Sequence, residues 1–312
     1  MLEGISPAER DSMKTHRYTP TAYHNVLGQA APALHLSPGD RVITSTADAH
    51  GYGKDQNKVA DKPNPMTGPF FVEGAEPGDT LTVRLESLIP NRGSGWTSSV
   101  LRPNVVEPLF VKTLPEKEYR TWRLDPVDRT ASFVDPITGE EWLRLPFSPM
   151  LGCIGVAPPE RQSISTMTCG THGGNMDYRG IVEGVTLHFP VFTEGALLFL
   201  GDGHVLQSEG EISGTGIETS FDVQFTVGVM KGKTIAWPRG ETATHLFTMG
   251  NARPLETALQ YAITEMLRWL ESDFSLDIPR ASLLLGHMCE LDVGNIISPD
   301  CTMVCKLSKD LL

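Results

Sequence analysis

Short runs of alternating apolar and polar residues, set off by glycine and proline turns, dominate this chain. Asp40–Thr46 (DRVITST) follows the turn Ser37-Pro38-Gly39 and reads as a strand. Thr80–Leu88 (TLTVRLESL) alternates after Glu76-Pro77-Gly78-Asp79, and Glu183–Pro190 and Ala196–Leu200 give two more strands. Glu218–Met230 (ETSFDVQFTVGVM) alternates over a longer span, with a bulge expected near Gly228. Period-two alternation at this density predicts half-buried antiparallel sheet. A helical period is strong over Pro254–Ser272, where Leu255, Ala258, Leu259, Ala262, Ile263, Met266, Leu267 and Leu270 share one face. Pro254 is placed for its first turn. Pro279–Cys289 reads as a shorter helix and Thr302–Leu307 as a final strand. The expected fold is mostly β, sandwich-like or barrel-like, with a late helical insertion, α+β overall.

Length and composition narrow this picture. The 312 residues suit a single unit, 1–312, divisible into an amino-terminal β subdomain 1–150 and a carboxy-terminal β/α subdomain 151–312. With 26 Lys and Arg against 38 Asp and Glu, the formal net charge is −12. That disfavours a nucleic-acid partner, since phosphate binding needs clustered cations. Apolar runs such as Gly195–Leu200 and Ser282–Leu285 fall far short of the ~20 residues of a membrane span. Met1–Pro7 lacks the basic start and apolar run of a secretory leader. The five cysteines form no CxxC pair, which argues against a thiolate zinc site and for reduced, buried thiols in a cytoplasmic protein.

Four polar clusters stand out from this background. In Asp48-Ala49-His50, the two ionisable side chains would face the same way if the segment were extended, offering two ligands to a zinc-like ion. A solvated loop closed by an Asx-turn is the competing reading. In Thr171-His172-Gly173-Gly174-Asn175-Met176-Asp177, paired glycines allow close backbone approach and let His172 and Asp177 turn inward. Gly201–Glu211 places Asp202, His204, Glu209 and Glu211 directly after an apolar strand, at the edge of the core where metal sites and shifted pKa values tend to occur. There His204 is a candidate ligand and Glu209 or Glu211 a candidate base. Glu73 lies in the apolar stretch Gly68–Ala75, and burial would raise its pKa. No Walker loop and no GxSxG elbow is present, and Cys169 reads more simply as an inert thiol than as a nucleophile beside His172.

Taken together, these segments resemble the acetamidase/formamidase family. The resemblance is carried by TGPFFVEGAEPGDTLTV (Thr67–Val83), GCIGVAPP (Gly152–Pro159), GGNMD (Gly173–Asp177), GALLFLGDGHVLQSEGE (Gly195–Glu211) and the ending SLLLGHMCELDVGNIISPDCTMVCKL. It runs from roughly residue 40 to the end in the expected order. It implies a β-rich fold, a homo-oligomer, hydrolysis of short amides such as formamide or acetamide, and a divalent metal, zinc first and calcium as the alternative. Carried over residue by residue, Asp48 and His50 match the family's Asp-x-His loop, Asp177 the aspartate of GGN-x-D, and His204 the histidine of GD-x-H. Cys169-Gly170-Thr171-His172 departs from the family pattern, so His172 acquires no role from it, and Asn91–Glu118 does not align.

The expected mechanism follows. Asp48, His50, Asp177 and His204 surround one metal with an open position, the arrangement hydrolytic zinc requires. Glu209, or alternatively Glu73, takes a proton from water and returns it to the leaving amine. Asp202 either orients His204 or itself binds metal. Two other readings remain open at this level. One is a non-catalytic β-rich binding protein with a structural calcium. The other is a hydrolase of another non-peptide C–N bond, such as a cyclic amide or urea derivative.

Overall fold

A computed structural model of the chain describes residues 13–312; the leader reading of Met1–Pro7 lies outside them. Two large sheets face one another. In the nine-stranded sheet the central order is Arg41–Ser45, Phe221–Met230, Thr80–Pro90, Thr186–Pro190, Arg239–Glu241, His245–Ala252 and Cys301–Ser308. In the eleven-stranded sheet Ser94–Ser98, Glu218–Thr219, Leu198–His204, Met150–Gly155 and Gly173–Asn175 lie side by side. Each sheet therefore mixes strands from both sides of residue 150.

Alternation accounts for the core. On Thr80–Pro90 the buried residues Leu81, Val83 and Leu85 are two apart, so all three project from one face. With Val42 and Phe225 they join Phe70, Leu151, Ile154, Leu198 and Leu200 of the opposite sheet in one buried cluster. Phe70 and Phe225 meet edge to face with ring centroids 5.3 Å apart. Each such side chain contributes about 1.5–3 kcal/mol by leaving water.

Helix α1 (Leu255–Phe274) and helix α2 (Ile278–Met288) form a second core over the nine-stranded sheet, in which Ala262, Met266 and Leu270 meet Leu246, Cys305 and Leu307. Pro254 caps α1 from outside rather than standing in its first turn. The helix ends at Ser275, whose left-handed backbone (φ 55°) returns its N–H to the Leu270 carbonyl. A Cβ on Gly250 would lie 2.0 Å from the Ala258 carbonyl oxygen, so the glycine is what lets α1 lie against its strand.

Three expectations change. The bulge expected at Gly228 lies instead between Gln224 and Phe225 in their pairing with Thr80–Pro90. Gly228 pairs in register with Thr82, and a Cβ there would come within 2.6 Å of the Thr82 hydroxyl. The strand expected to stop at Leu200 continues to His204. The single strand expected over Glu218–Met230 is two: Glu218–Thr219 belongs to the eleven-stranded sheet and Phe221–Met230 to the other. No helix among the described residues is long and apolar enough to cross a membrane.

Candidate metal centre

Because Leu198–His204 runs on past Leu200, its polar end is held between two neighbours. His204 stands opposite Met150 on one side and Glu218 on the other. Asp202, His204 and Glu218 thereby share one buried site, with His204 Nε2 3.0 Å from Glu218 Oε1 and 3.4 Å from Asp202 Oδ1. Asp177 enters from the turn after Gly173–Asn175, and Glu211 from the single turn Glu209–Glu211. Ligand atoms of Asp177, His204 and Glu211 all lie within 4.8 Å of one another, as do those of Asp202, His204 and Glu218. None of the five residues is more than 5% exposed. Gly152 lies among them: a Cβ there would sit 2.4 Å from Asp177 Oδ1 and 2.6 Å from Asp202 Oδ2. Gly216 similarly leaves room for the His204 ring.

Four carboxylates around one imidazole in a dry interior carry an excess of negative charge. Burial, reinforced by neighbouring carboxylates, pushes the pKa of Asp177 well above the ordinary range, and burial does the same to Glu211 and Glu218 against the pull of His204. Burial opposes the charging of His204, but Glu218 and Asp202 outweigh it and hold its pKa well above normal. Three buried atoms aimed at the site, Asp177 Oδ1, His204 Nε2 and Glu218 Oε2, have no hydrogen-bond partner. The other oxygen of Asp177 is fully used, accepting 2.6 Å bonds from the Asn175 and Asn295 amides. Orphaned oxygen and nitrogen donors amid excess negative charge fit a divalent cation.

The model of the Acetamidase/Formamidase family matches residues 160–265. The crystal structure of an acetamidase from Yersinia enterocolitica is 31% identical and superposes with a TM-score of 0.82, over 96% of this chain and 93% of that one. The chain belongs to the acetamidase/formamidase family. Another solved relative, an acetamidase from Bacillus halodurans, is 29% identical with a TM-score of 0.82, over 95% of this chain and 98% of its own. The acetamidase of Mycolicibacterium smegmatis is 27% identical over 61% of this chain. The match spans 59% of that relative's length, and about half of the other curated relatives.

In this acetamidase/formamidase-family chain the residues picked out from sequence do not all meet. Asp177 and His204 converge, as do Asp202 and Glu211. Asp48 does not offer a free carboxylate. Its segment is not extended: Oδ1 accepts the His50 and Tyr52 backbone N–H groups at 3.0 and 2.9 Å, and Oδ2 accepts from Arg92 and the Trp96 indole. His50 lies flat on Trp96, ring centroids 3.8 Å apart, outside both ligand groups. Glu209 is a surface residue that accepts the Val293 N–H at 3.1 Å and lies 3.6 Å from Arg179. Glu73 follows the end of its strand at Val72, where the chain turns outward, and its carboxylate meets His35 at 2.8 Å in solvent. Cys169 is buried, which pushes its thiol pKa up and leaves it unreactive. Glu218 is the member of the site that sequence reasoning missed.

Backbone strain marks the same residues. Asp177, Asp202 and Glu211 have φ of 43°, 57° and 51°, a region that costs a non-glycine residue about 1–3 kcal/mol. Glu211→Gly is expected to remove activity while holding or raising the denaturation midpoint, because glycine adopts this backbone freely. A midpoint well below wild type would show instead that the Glu211 carboxylate supports the fold.

His172 sits apart from the carboxylates, buried and with Nε2 unpartnered, and burial alone lowers its pKa from 6.5 to about 4. The unfolded chain therefore binds this proton more readily than the folded one. Stability is full above pH 6.5 and declines as pH falls towards 4, by about 3 kcal/mol from this group. His172→Gln is expected to lose correspondingly less stability over that interval in denaturant titrations. Equal losses in both proteins would contradict the buried neutral imidazole.

Proposed function

We propose that the chain hydrolyses a small aliphatic amide, of the formamide or acetamide kind, to a carboxylate and ammonia at the Asp177–His204–Glu211–Glu218 cluster with a divalent cation, zinc by preference. The observation that carries this reading is the buried excess of carboxylates around one imidazole, with three donor atoms left unpartnered. Asp177 Oδ1, His204 Nε2 and a Glu211 oxygen would hold the cation. A nitrogen donor among oxygens favours zinc over calcium. When bound, such an ion supplies Lewis acidity towards a carbonyl oxygen and acidifies water.

The chain's own residues supply the proton traffic. Glu218 Oε1 accepts the Gly216 N–H at 3.1 Å and lies 3.0 Å from His204 Nε2, whereas Oε2 is free. Oε2 can accept the proton that water loses as it attacks the amide carbon. The same oxygen then delivers that proton to the nitrogen, so that the C–N bond breaks to ammonia rather than to an unstable amide anion. Burial raises the pKa of Glu218, which suits a group that must both take and give a proton near neutrality. Asp202, 3.4 Å from His204 Nε2, adds a second carboxylate beside the nitrogen that would face the cation.

The names of the relatives support amides as the substrate class. Homo-oligomeric assembly belongs to the same reading, and the strongly exposed apolar side chains Leu109, Val127, Ile137 and Trp142 support it. The test is ammonia release from formamide, acetamide, propionamide and urea, before and after chelation and after adding back zinc or calcium. Turnover of a small amide that vanishes on chelation and returns with zinc is the expected result. Protein that retains a stoichiometric ion yet releases no ammonia would favour a structural cation in a binding protein.

A further inference from the structure

A metal-binding imidazole must present an unprotonated nitrogen, so whichever residue bonds its other nitrogen decides whether the site works. Here that residue is Gln207, which is buried beside the cluster. Its Oε1 lies 2.8 Å from His204 Nδ1. Its Nε2 lies 2.6 Å from the Asp177 carbonyl oxygen, 3.3 Å from that of Ser208 and 3.4 Å from that of Gly294.

These contacts fix which way the amide points. Turning it over would set its oxygen against three carbonyl oxygens and its NH2 against the ring, so the donor end must face the carbonyls. Oε1 can only accept, and His204 Nδ1 must then carry the proton. With Nδ1 so committed, Nε2 is the one nitrogen left to exchange its proton for a cation, and it is turned towards Asp202 and Glu218 at 3.4 and 3.0 Å. The same amide ties the Asp177 turn and the strand Glu290–Asn295 to the His204 strand.

We infer that Gln207 is a positioning residue: by accepting from Nδ1 it holds His204 in the tautomer that offers Nε2 to the cluster. The part of this inference that concerns zinc rests on the cation site proposed above. Two variants separate the tautomer role from simple packing. Gln207→Met keeps the length of the side chain but neither donates nor accepts. Gln207→Glu keeps the acceptor towards Nδ1 and, as the protonated acid that burial against three carbonyls favours, keeps one donor to them.

Metal-free protein labelled with 15N-histidine is expected to show a slowly exchanging proton on His204 Nδ1. The signal is identified by its absence from His204→Ala, persists in Gln207→Glu and disappears in Gln207→Met. Zinc affinity, from competition with a chelator, is expected to fall about 10–100-fold in Gln207→Met and to be largely kept in Gln207→Glu. An Nδ1 without a proton in the wild type would overturn the inference, as would equal zinc loss in the two variants. Wild-type protein that shows the Nδ1 proton but binds no zinc would uphold the role of Gln207 and remove the cation site.

Discussion

Glu218→Gln is expected to lower kcat for amide hydrolysis by about 10²–10⁴-fold with little change in KM or stability. The substitution keeps the shape of the side chain. Its carbonyl oxygen can still accept the Gly216 N–H, which the glutamate now accepts at 3.1 Å. What the amide cannot do is take a proton from water and return it to nitrogen. The defect therefore falls on water attack and on departure of ammonia alike, and single-turnover kinetics with acetamide would measure it. A parallel Glu209→Gln variant should be nearly silent, because that carboxylate lies on the surface against Val293 and Arg179. The reverse pattern would return the proton-transfer role to Glu209.

The largest effect on folding is expected at Glu265 on α1. This glutamate is fully buried, and its Oε1 accepts a 2.8 Å bond from Arg239 Nε and lies 2.8 Å from Nη2 of the same guanidinium, which is almost as deeply buried and lies over the Trp269 ring. It also accepts from the Ala236 N–H at 3.3 Å. Glu265→Ala leaves the guanidinium charged and unpaired in a dry interior, which costs about 3–5 kcal/mol. The denaturant midpoint should fall with the slope of the transition unchanged. Adding Arg239→Leu should recover much of the loss, since the destabilisation comes from the stranded charge rather than from the missing attraction. A single variant within 1 kcal/mol of wild type would mean that water reaches Arg239.

The fold was legible where side-chain period and local turns decide the structure. Arg41–Ser45, Thr80–Pro90 and Phe221–Met230 lie where alternation puts them, and α1 buries the face marked by Ala258, Ala262, Met266 and Leu270. The change of sheet at Ser220 was not legible. By period two Glu218 belongs with Asp222 and Gln224 on a polar face, and nothing local says that the chain leaves one sheet and enters another. The usable signal was long-range: the strand carrying His204 needs a neighbour, and Glu218 is opposite it.

The same distinction runs through the site. Asp177 and His204 follow glycine-rich segments whose tight backbone could be read directly. The environment of Asp48 could not, because Arg92 and Trp96, which occupy its carboxylate, come 44 and 48 residues later in a segment without a readable pattern. Glu73 stood out because burial among its apolar neighbours would raise its pKa, yet a turn of two residues puts it in water. Gln207 carries no ionisable group and attracts no notice in sequence. Its importance appears only when its two ends are seen to face an imidazole and three carbonyls.

The most direct test of the metal site is anomalous diffraction at the zinc edge from crystals grown with zinc. A single peak about 2.0–2.2 Å from both Asp177 Oδ1 and His204 Nε2, with Glu211 completing the set, is the predicted result. A peak beside Asp48 and His50 instead, or a fully occupied zinc elsewhere with none at His204, would contradict it.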